Sequence, residues 1–140
     1  MWVNELKEQM NHQYATMLNY SHHELDDKLR NSPIVHIIKN HLKGERKKRM
    51  SNHDWDALNQ LFNDIYPNFS IVLKGKNINN TEFRVCQLIR IGISPTQIAL
   101  LLNVDKSYIS NIRSRLHAKI MGQKGSSKEF DTFLLSIPFI

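Results

Sequence analysis

The sequence is poor in cysteine, glycine and proline: its 140 residues include one cysteine, five glycines and four prolines. Its single cysteine, Cys86, excludes a disulfide framework within the chain and any zinc site built from several cysteines. No apolar run approaches the roughly 18 residues that span a bilayer, and residues 1–9 lack the basic-then-apolar order of a signal peptide. We therefore expect a cytoplasmic protein whose residues make no membrane contact.

Acidic residues are also in deficit, with 13 Asp and Glu against 19 Lys and Arg and a formal net charge of +6. This surplus favours a polyanionic partner, such as nucleic acid or acidic lipid. The length suits one core-bearing domain with an appendage.

Alternation typical of strands is nearly absent, whereas apolar residues recur at helical spacing, so we predict an all-α fold. It comprises an N-terminal helical or coiled-coil segment followed by a helix-turn-helix bundle. The predicted boundaries are residues 1–43 for a helical dimerisation segment, 44–51 for a basic linker, and 52–140 for the bundle with an apolar C-terminal tail.

The N-terminal segment has a narrow apolar stripe with a weak heptad spacing and one change of phase. Such a stripe cannot form a core alone, so it either packs on the rest of the chain or pairs with a second copy. We favour a homodimer. A further helix is predicted to begin at Ser32 and Pro33 and to end at Gly44. The stripe consists of Val3, Leu6, Met10, Met17, Tyr20, Leu25 and Leu29.

The run GERKKRM, residues 44–50, is predicted to be a solvated linker because consecutive like charges repel each other. A DNA-contacting arm or a nuclear-import-like patch are the alternatives. Beyond it, Ser51 or Asn52 is expected to cap a helix that Pro67 ends, followed by a short continuation. Asn79 and Glu82 match a capping box at the start of another helix, which runs to Gly92.

The stretch SPTQIALLLNVDKSYISNIRSRLHAKI, residues 94–120, predicts two helices joined by a tight turn. Ser94 is a good N-cap and Pro95 suits the first helical position. Asn103 tolerates the left-handed conformation that a tight turn needs, and Asp105 is expected to cap the second helix. The inner faces should be formed by Ile98, Ala99, Leu101 and Leu102, and by Ile109, Ile112, Leu116 and Ile120.

The remainder of the second helix is expected to face outward. Short polar side chains in its first turns with cations around them suit insertion into a DNA major groove, where bases are read and phosphates are held. The N-terminus of the first helix, at Ser94 and Thr96, can donate backbone amides to a phosphate. A generic amphipathic helix pair with a basic face is the alternative. The outward set is Lys106, Ser107, Tyr108, Ser110, Asn111, Arg113, Ser114, Arg115 and Lys119.

These residues resemble the LuxR-type (GerE-like) C-terminal helix-turn-helix of bacterial transcription regulators. The similar stretch, residues 78–120, covers about a third of the chain. Flanking stretches at residues 54–69 and 122–137 resemble the branch that follows a coiled coil in tetratricopeptide-repeat sensor regulators. The matching positions are Glu82, Leu88, Ile89, Gly92, Ser94, Ile98, Ala99, Leu102, Arg113, Leu116 and Lys119.

The resemblance implies a DNA-binding regulator that works with an upstream sensor domain, which these residues do not contain. It implies base contacts for Ser110, Asn111 and Ser114. It implies that Tyr108, Arg113, Arg115 and Lys119 lie around the DNA backbone. The chain departs from the family pattern at Gln97, Tyr108, Ser110 and Ile112, so the family's base preference does not transfer.

We predict no enzyme, no cofactor and no metal. No pair of histidines is four residues apart, and His23 with Asp27 lacks a third ligand. Cys86 lies on an apolar helix face, where burial makes a thiol inert.

The tail, residues 130–140, is expected to form a last helix capped by Ser126 or Ser127 that packs on the domain. A docking peptide for another subunit is the alternative. The leading functional prediction is a sequence-specific transcription regulator that reads double-stranded DNA with residues 106–120. The alternative is a protein-interaction or assembly adaptor that uses the coiled coil and the tail.

Overall fold

The computed structural model of the protein describes residues 23–44, 50–122 and 125–139, and every regular element in those ranges is a helix. The all-α prediction is therefore confirmed for the described residues. No helix in these ranges combines the length and the apolar character needed to cross a membrane. In chain order the helices are α1 (residues 23–30), α2 (Pro33–Leu42), α3 (Asn52–Ile65), α4 (Pro67–Lys74), α5 (Asn80–Arg90), α6 (Pro95–Leu102), α7 (Lys106–Met121) and α8 (Ser127–Ser136).

Short polar residues begin most of these helices. The Oγ atom of Ser51 accepts from the Asp54 backbone N–H at 3.1 Å, and the Asp54 carboxylate accepts from the Ser51 N–H at 3.1 Å. The predicted capping box of α5 is confirmed, since the Asn79 side chain accepts from the Glu82 N–H at 2.8 Å. Ser32 holds the cap position of α2, but its hydroxyl donates to the Leu29 carbonyl instead. The Ser51 and Asn79 side chains thus satisfy N–H groups that have no partner within the helix.

Helix α5 lies at the centre of the bundle and packs against α6, α7 and α8. Val85, Cys86 and Leu88 are fully buried on it. Polar groups are buried there too: Gln87 donates from Nε2 to the Asn59 side chain of α3 at 2.8 Å. Helix α5 is therefore buried around most of its circumference, because neighbours enclose it on several sides.

The N-terminal residues that the structure describes belong to this same core. Leu29 is fully buried, as are Val35 and Ile38 of α2, which packs against α3 and α6. The predicted boundary at residue 43 therefore does not separate two cores. The boundary was predicted from the charged run that follows it. Such a run indicates a connection between elements, but it does not show whether the helix before it packs against the helices after it. Most of the heptad stripe, Val3 to Tyr20, lies outside the described residues, as does most of the linker.

The apolar C-terminal tail packs on the bundle. Helix α8 begins after Ser126, whose hydroxyl accepts from the Glu129 N–H at 3.2 Å. Phe130 and Leu134 on α8 are fully buried, and Phe139 beyond it stacks on Tyr66 with a centroid distance of 4.1 Å. The prediction of a packed last helix is confirmed, and most of the tail is not an exposed docking peptide.

Candidate nucleic-acid interface

The first helix of the candidate interface, α6, starts with the predicted cap. Ser94 Oγ accepts from the Gln97 N–H at 3.3 Å, and Gln97 Oε1 accepts from the Ser94 N–H at 3.1 Å. The Ser94 backbone N–H, which was expected to be available to a phosphate, therefore donates within this capping box. Pro95 has no N–H, so the amide of this turn that remains for an anion is that of Thr96. Both Ser94 and Thr96 are exposed.

The turn between α6 and α7 is tight because Asn103 adopts the left-handed conformation, with φ 56° and ψ 51°. The Val104 N–H then donates to the Ala99 carbonyl at 3.0 Å, which closes the end of α6. Asp105 has the extended backbone of an N-cap, but its side chain accepts no capping hydrogen bond. Asp105 therefore holds the predicted N-cap position, but its side chain does not form the capping hydrogen bond.

Helix α7 packs against α5, α6 and α8. The four inward residues predicted for it, Ile109, Ile112, Leu116 and Ile120, are all buried. Because three elements cover α7, its buried face extends past this stripe to include Arg113 and His117. The expectation that every other residue of α7 faces outward was therefore wrong at Arg113 and His117.

Arg113 is 7% exposed and paired with α8. Its Nε atom donates to Oδ1 of Asp131 at 3.2 Å, and its Nη2 atom donates to Oδ2 of the same carboxylate. This two-point ion pair attaches α8 to the back of α7, so Arg113 does not lie where a DNA phosphate could reach it. One turn further along α7, the buried His117 ring lies beneath Gly125, where any side chain would collide with it.

Lys119 also serves the fold. Its side chain is 36% exposed, and its Nζ atom lies 2.8 and 3.0 Å from the carboxylate oxygens of Glu82, which is 2% exposed. Burial alone would raise the pKa of Glu82. Hydrogen bonds from Lys119 and from the Asn79 backbone N–H, together with the charges of Lys119 and Arg115, outweigh this effect of burial and hold the pKa of Glu82 below its usual value. The predicted phosphate contact from Lys119 would have to compete with this pair.

The remaining members of the predicted set do share one outward surface. Seven of them are exposed or half-buried on successive turns of α7, and within the described residues neither Lys106 nor Arg115 forms an ion pair with a carboxylate. Two cations without such partners beside hydroxyl and amide groups give this face a positive potential and short hydrogen-bonding side chains. We call it the α7 face: Lys106, Ser107, Tyr108, Ser110, Asn111, Ser114 and Arg115.

Cys86 lies in the core behind this surface, and burial raises the pKa of its thiol. It is therefore protonated and shielded from reagents, as its apolar surroundings predicted. Among residues 23–44, 50–122 and 125–139, no three His, Cys, Asp or Glu side chains are grouped closely enough to hold a metal ion.

Sequence reasoning missed the acidic partners of α7. Glu82 was identified only as a capping residue, although its carboxylate also binds Lys119. Asp131 was not singled out at all. The available signal was an acidic residue between Phe130 and Phe133 in an apolar segment, which needs a cation nearby if it is to be partly buried.

None of the family models, curated proteins or solved structures with which the chain was compared matches it. The arrangement of α5, α6 and α7 is therefore interpreted from its own geometry.

Proposed function

We propose that the protein is a sequence-specific DNA-binding transcription regulator that reads the major groove with α7. The observation that carries the proposal is the α7 face, which is polar, cationic and directly preceded by a tight left-handed turn at Asn103. A helix presented in this way fits the groove with its N-terminal turns, where side chains reach base edges. The resemblance to LuxR-type helix-turn-helix domains supports the same assignment.

Within this proposal the residues have two roles. Asn111 is suited to bidentate pairing with adenine, and Ser110 and Ser114 each offer one further hydrogen bond. Lys106 and Arg115 supply charge to phosphates, and the Thr96 amide adds a contact at the start of α6. Arg113 and Lys119 act indirectly, since their ion pairs hold α7 against α8 and α5.

The proposal further includes a homodimer that binds two half-sites, because a single recognition helix gives limited specificity. An upstream sensor domain follows from the resemblance, and a cytoplasmic location was expected from the composition; both remain part of the proposal. The adaptor alternative is less favoured, since Phe130, Leu134 and Phe139 of the tail are buried within the chain itself.

The direct test is selection from random duplex DNA on the purified protein, followed by affinity measurements on the selected site. We expect Asn111→Ala to weaken binding to that site by about 1 to 3 kcal/mol and to change binding to random DNA little. Asn63→Ala, at an exposed asparagine on α3, is the matched control and should change neither. Equal losses on selected and random DNA would show that α7 does not read bases.

The salt dependence of the same binding tests the phosphate contacts. If Lys106 and Arg115 contact phosphates, Arg115→Gln should reduce the slope of log K against log salt by about one on every sequence. Lys39→Gln, at an exposed cation on α2, should leave the slope unchanged. A protein that selects no duplex and shows no salt dependence would favour the adaptor alternative.

A further inference from the structure

A second feature lies apart from the α7 face, at the C-terminal end of α5. A cleft of about 440 Å³ opens between α1, the end of α5 and the segment after α8. This volume falls within the range of roughly 300 to 1,000 Å³ of small-molecule sites. Charged side chains of α1 and α5 line one side of it, and residues 135–139, which are apolar except for Ser136, line the other.

The charged side is an arrangement of two guanidinium groups on one carboxylate. Arg90 Nη1 donates to Oδ1 of Asp26 at 3.0 Å, and Arg30 Nε lies 3.1 Å from Oδ2 of the same residue. Two positive charges against one negative charge leave this cluster with a net charge of +1. Asp26 compensates the buried Arg90, and the surplus positive charge is that of Arg30, whose side chain is 51% exposed at the mouth of the cleft, where it can attract an anion.

Arg90 is held rigidly within this cluster. It is 5% exposed, and its guanidinium carbon lies 5.2 Å from the ring centroid of Tyr66 and 5.0 Å from that of Phe139. Its Nε atom is buried and has no hydrogen-bond acceptor among the described residues. Burial raises the pKa of Tyr66, so the phenol stays neutral and supplies no counter-charge. The guanidinium is thus held by Asp26 and two aromatic rings, and among the described residues its buried Nε atom has no acceptor.

The facing wall determines what kind of anion would fit. Leu135 is 55% exposed although it borders the cleft, and Ile137, Pro138 and Phe139 continue this apolar lining. A fixed guanidinium pairs well with a planar carboxylate, whereas an apolar wall favours an aliphatic chain. We propose that this cleft binds a small aliphatic carboxylate, with its carboxylate on Arg90 and Arg30 and its chain against Leu135 and Ile137. This site goes beyond the proposed function and does not depend on DNA binding.

The test is calorimetric titration of the full chain with hexanoate, acetate, 1-hexanol and inorganic phosphate. We expect hexanoate to bind, acetate and phosphate to bind at least tenfold more weakly, and 1-hexanol not to bind measurably, since both the charge and the chain are needed. Equal affinity for hexanoate and 1-hexanol would overturn the role of the guanidinium groups. Phosphate binding tighter than hexanoate would overturn the assignment of a carboxylate.

Three exposed positions allow variants that leave the core intact. Leu135→Glu places a like charge at the cleft and should weaken hexanoate binding about tenfold or more, which corresponds to about 1.4 kcal/mol. Leu100→Glu, at a leucine 69% exposed on α6, is the matched control and should bind hexanoate as the unchanged protein does. Arg30→Gln, at a half-exposed arginine, should weaken binding several-fold. Unchanged hexanoate affinity in both Leu135→Glu and Arg30→Gln would place any binding elsewhere and overturn the proposal.

Discussion

Glu82 has two roles at once, because its carboxylate accepts from the Asn79 amide of its own helix cap and from Lys119 of α7. A carboxylate that is 2% exposed is stable in its ionised form only while both partners are present. This pairing joins the start of α5 to the last turns of α7. It therefore determines part of the orientation of the helix that carries the α7 face.

The lowered pKa of Glu82 predicts a pH-dependent stability with a definite sign. The folded protein holds this carboxylate ionised, so its contribution is present above the unfolded pKa of about 4.3 and is lost as the pH falls through the lower folded value. At pH 7 we expect Glu82→Gln to lower the free energy of unfolding by about 1 to 3 kcal/mol. Urea titrations at pH 7 and pH 3 measure the difference, which should shrink at pH 3.

The matched control for this experiment is Glu24→Gln, at an exposed glutamate on α1. It should leave the free energy of unfolding nearly unchanged at both values of pH. A loss in Glu82→Gln that is equally large at pH 3 would mean that the ionised carboxylate is not the stabilising form.

At the scale of elements, α8 supports α7 from behind through the Arg113–Asp131 pair, and Gly125, which precedes α8, lies against the His117 ring. The side chain of Arg113 is 9% exposed and that of Asp131 is 30% exposed, so the pair lies largely out of water. Removing one partner of such a pair leaves the other charge uncompensated. Helix α8 therefore positions the candidate recognition helix without contacting its outward face.

We expect Asp131→Asn to lower the free energy of unfolding by about 2 to 3 kcal/mol, as measured by urea denaturation. Asp56→Asn, at an exposed aspartate on α3, should have little effect. The double variant Arg113→Met with Asp131→Leu should recover part of the loss, since it removes both charges together. Its DNA binding should keep the salt slope of the unchanged protein. A slope lowered by about one would show that Arg113 contacts a phosphate after all.

At the scale of the whole molecule, α1 and α2 belong to the same core as α5, α6 and α7. The predicted dimer contact would use the stripe from Val3 to Tyr20. Two truncations separate these roles. Removal of residues 1–22 should leave the free energy of unfolding close to that of the full chain and yield a monomer with weaker DNA binding. Light scattering gives the mass and urea denaturation gives the stability.

Removal of residues 1–50 should instead unfold the protein, because Leu29, Val35 and Ile38 are each fully buried. Losing one such side chain typically costs about 2 to 5 kcal/mol, and the total stability of a domain is only about 5 to 15 kcal/mol. A stable monomer made of residues 51–140 would show that the N-terminal helices are a separate segment. A dimer made of residues 23–140 would show that the contact between copies lies within the described bundle.

Local sequence determined where the helices begin and how the central turn is made. Asn79, Ser94 and Asn103 were identified from their type and spacing alone, and Ser51 was one of two candidate caps, because capping and left-handed turns depend on residues only a few positions apart. The inward stripe of α7 followed from helical periodicity for the same reason. Seven residues of the predicted DNA-contacting set on α7 were likewise placed on one face.

Tertiary structure decided which of the remaining charges stay available. Arg113, Lys119 and Arg90 are alike in the sequence, but each is paired with an acidic residue at least 18 positions away, namely Asp131, Glu82 and Asp26. Helical periodicity identifies the inward face of an isolated helix, whereas the width of that face depends on how many neighbours pack around it. The sequence by itself therefore determined the helices and the turn, and packing alone decided which cations lie inside, since a buried charge is tolerated only where the fold brings it a partner.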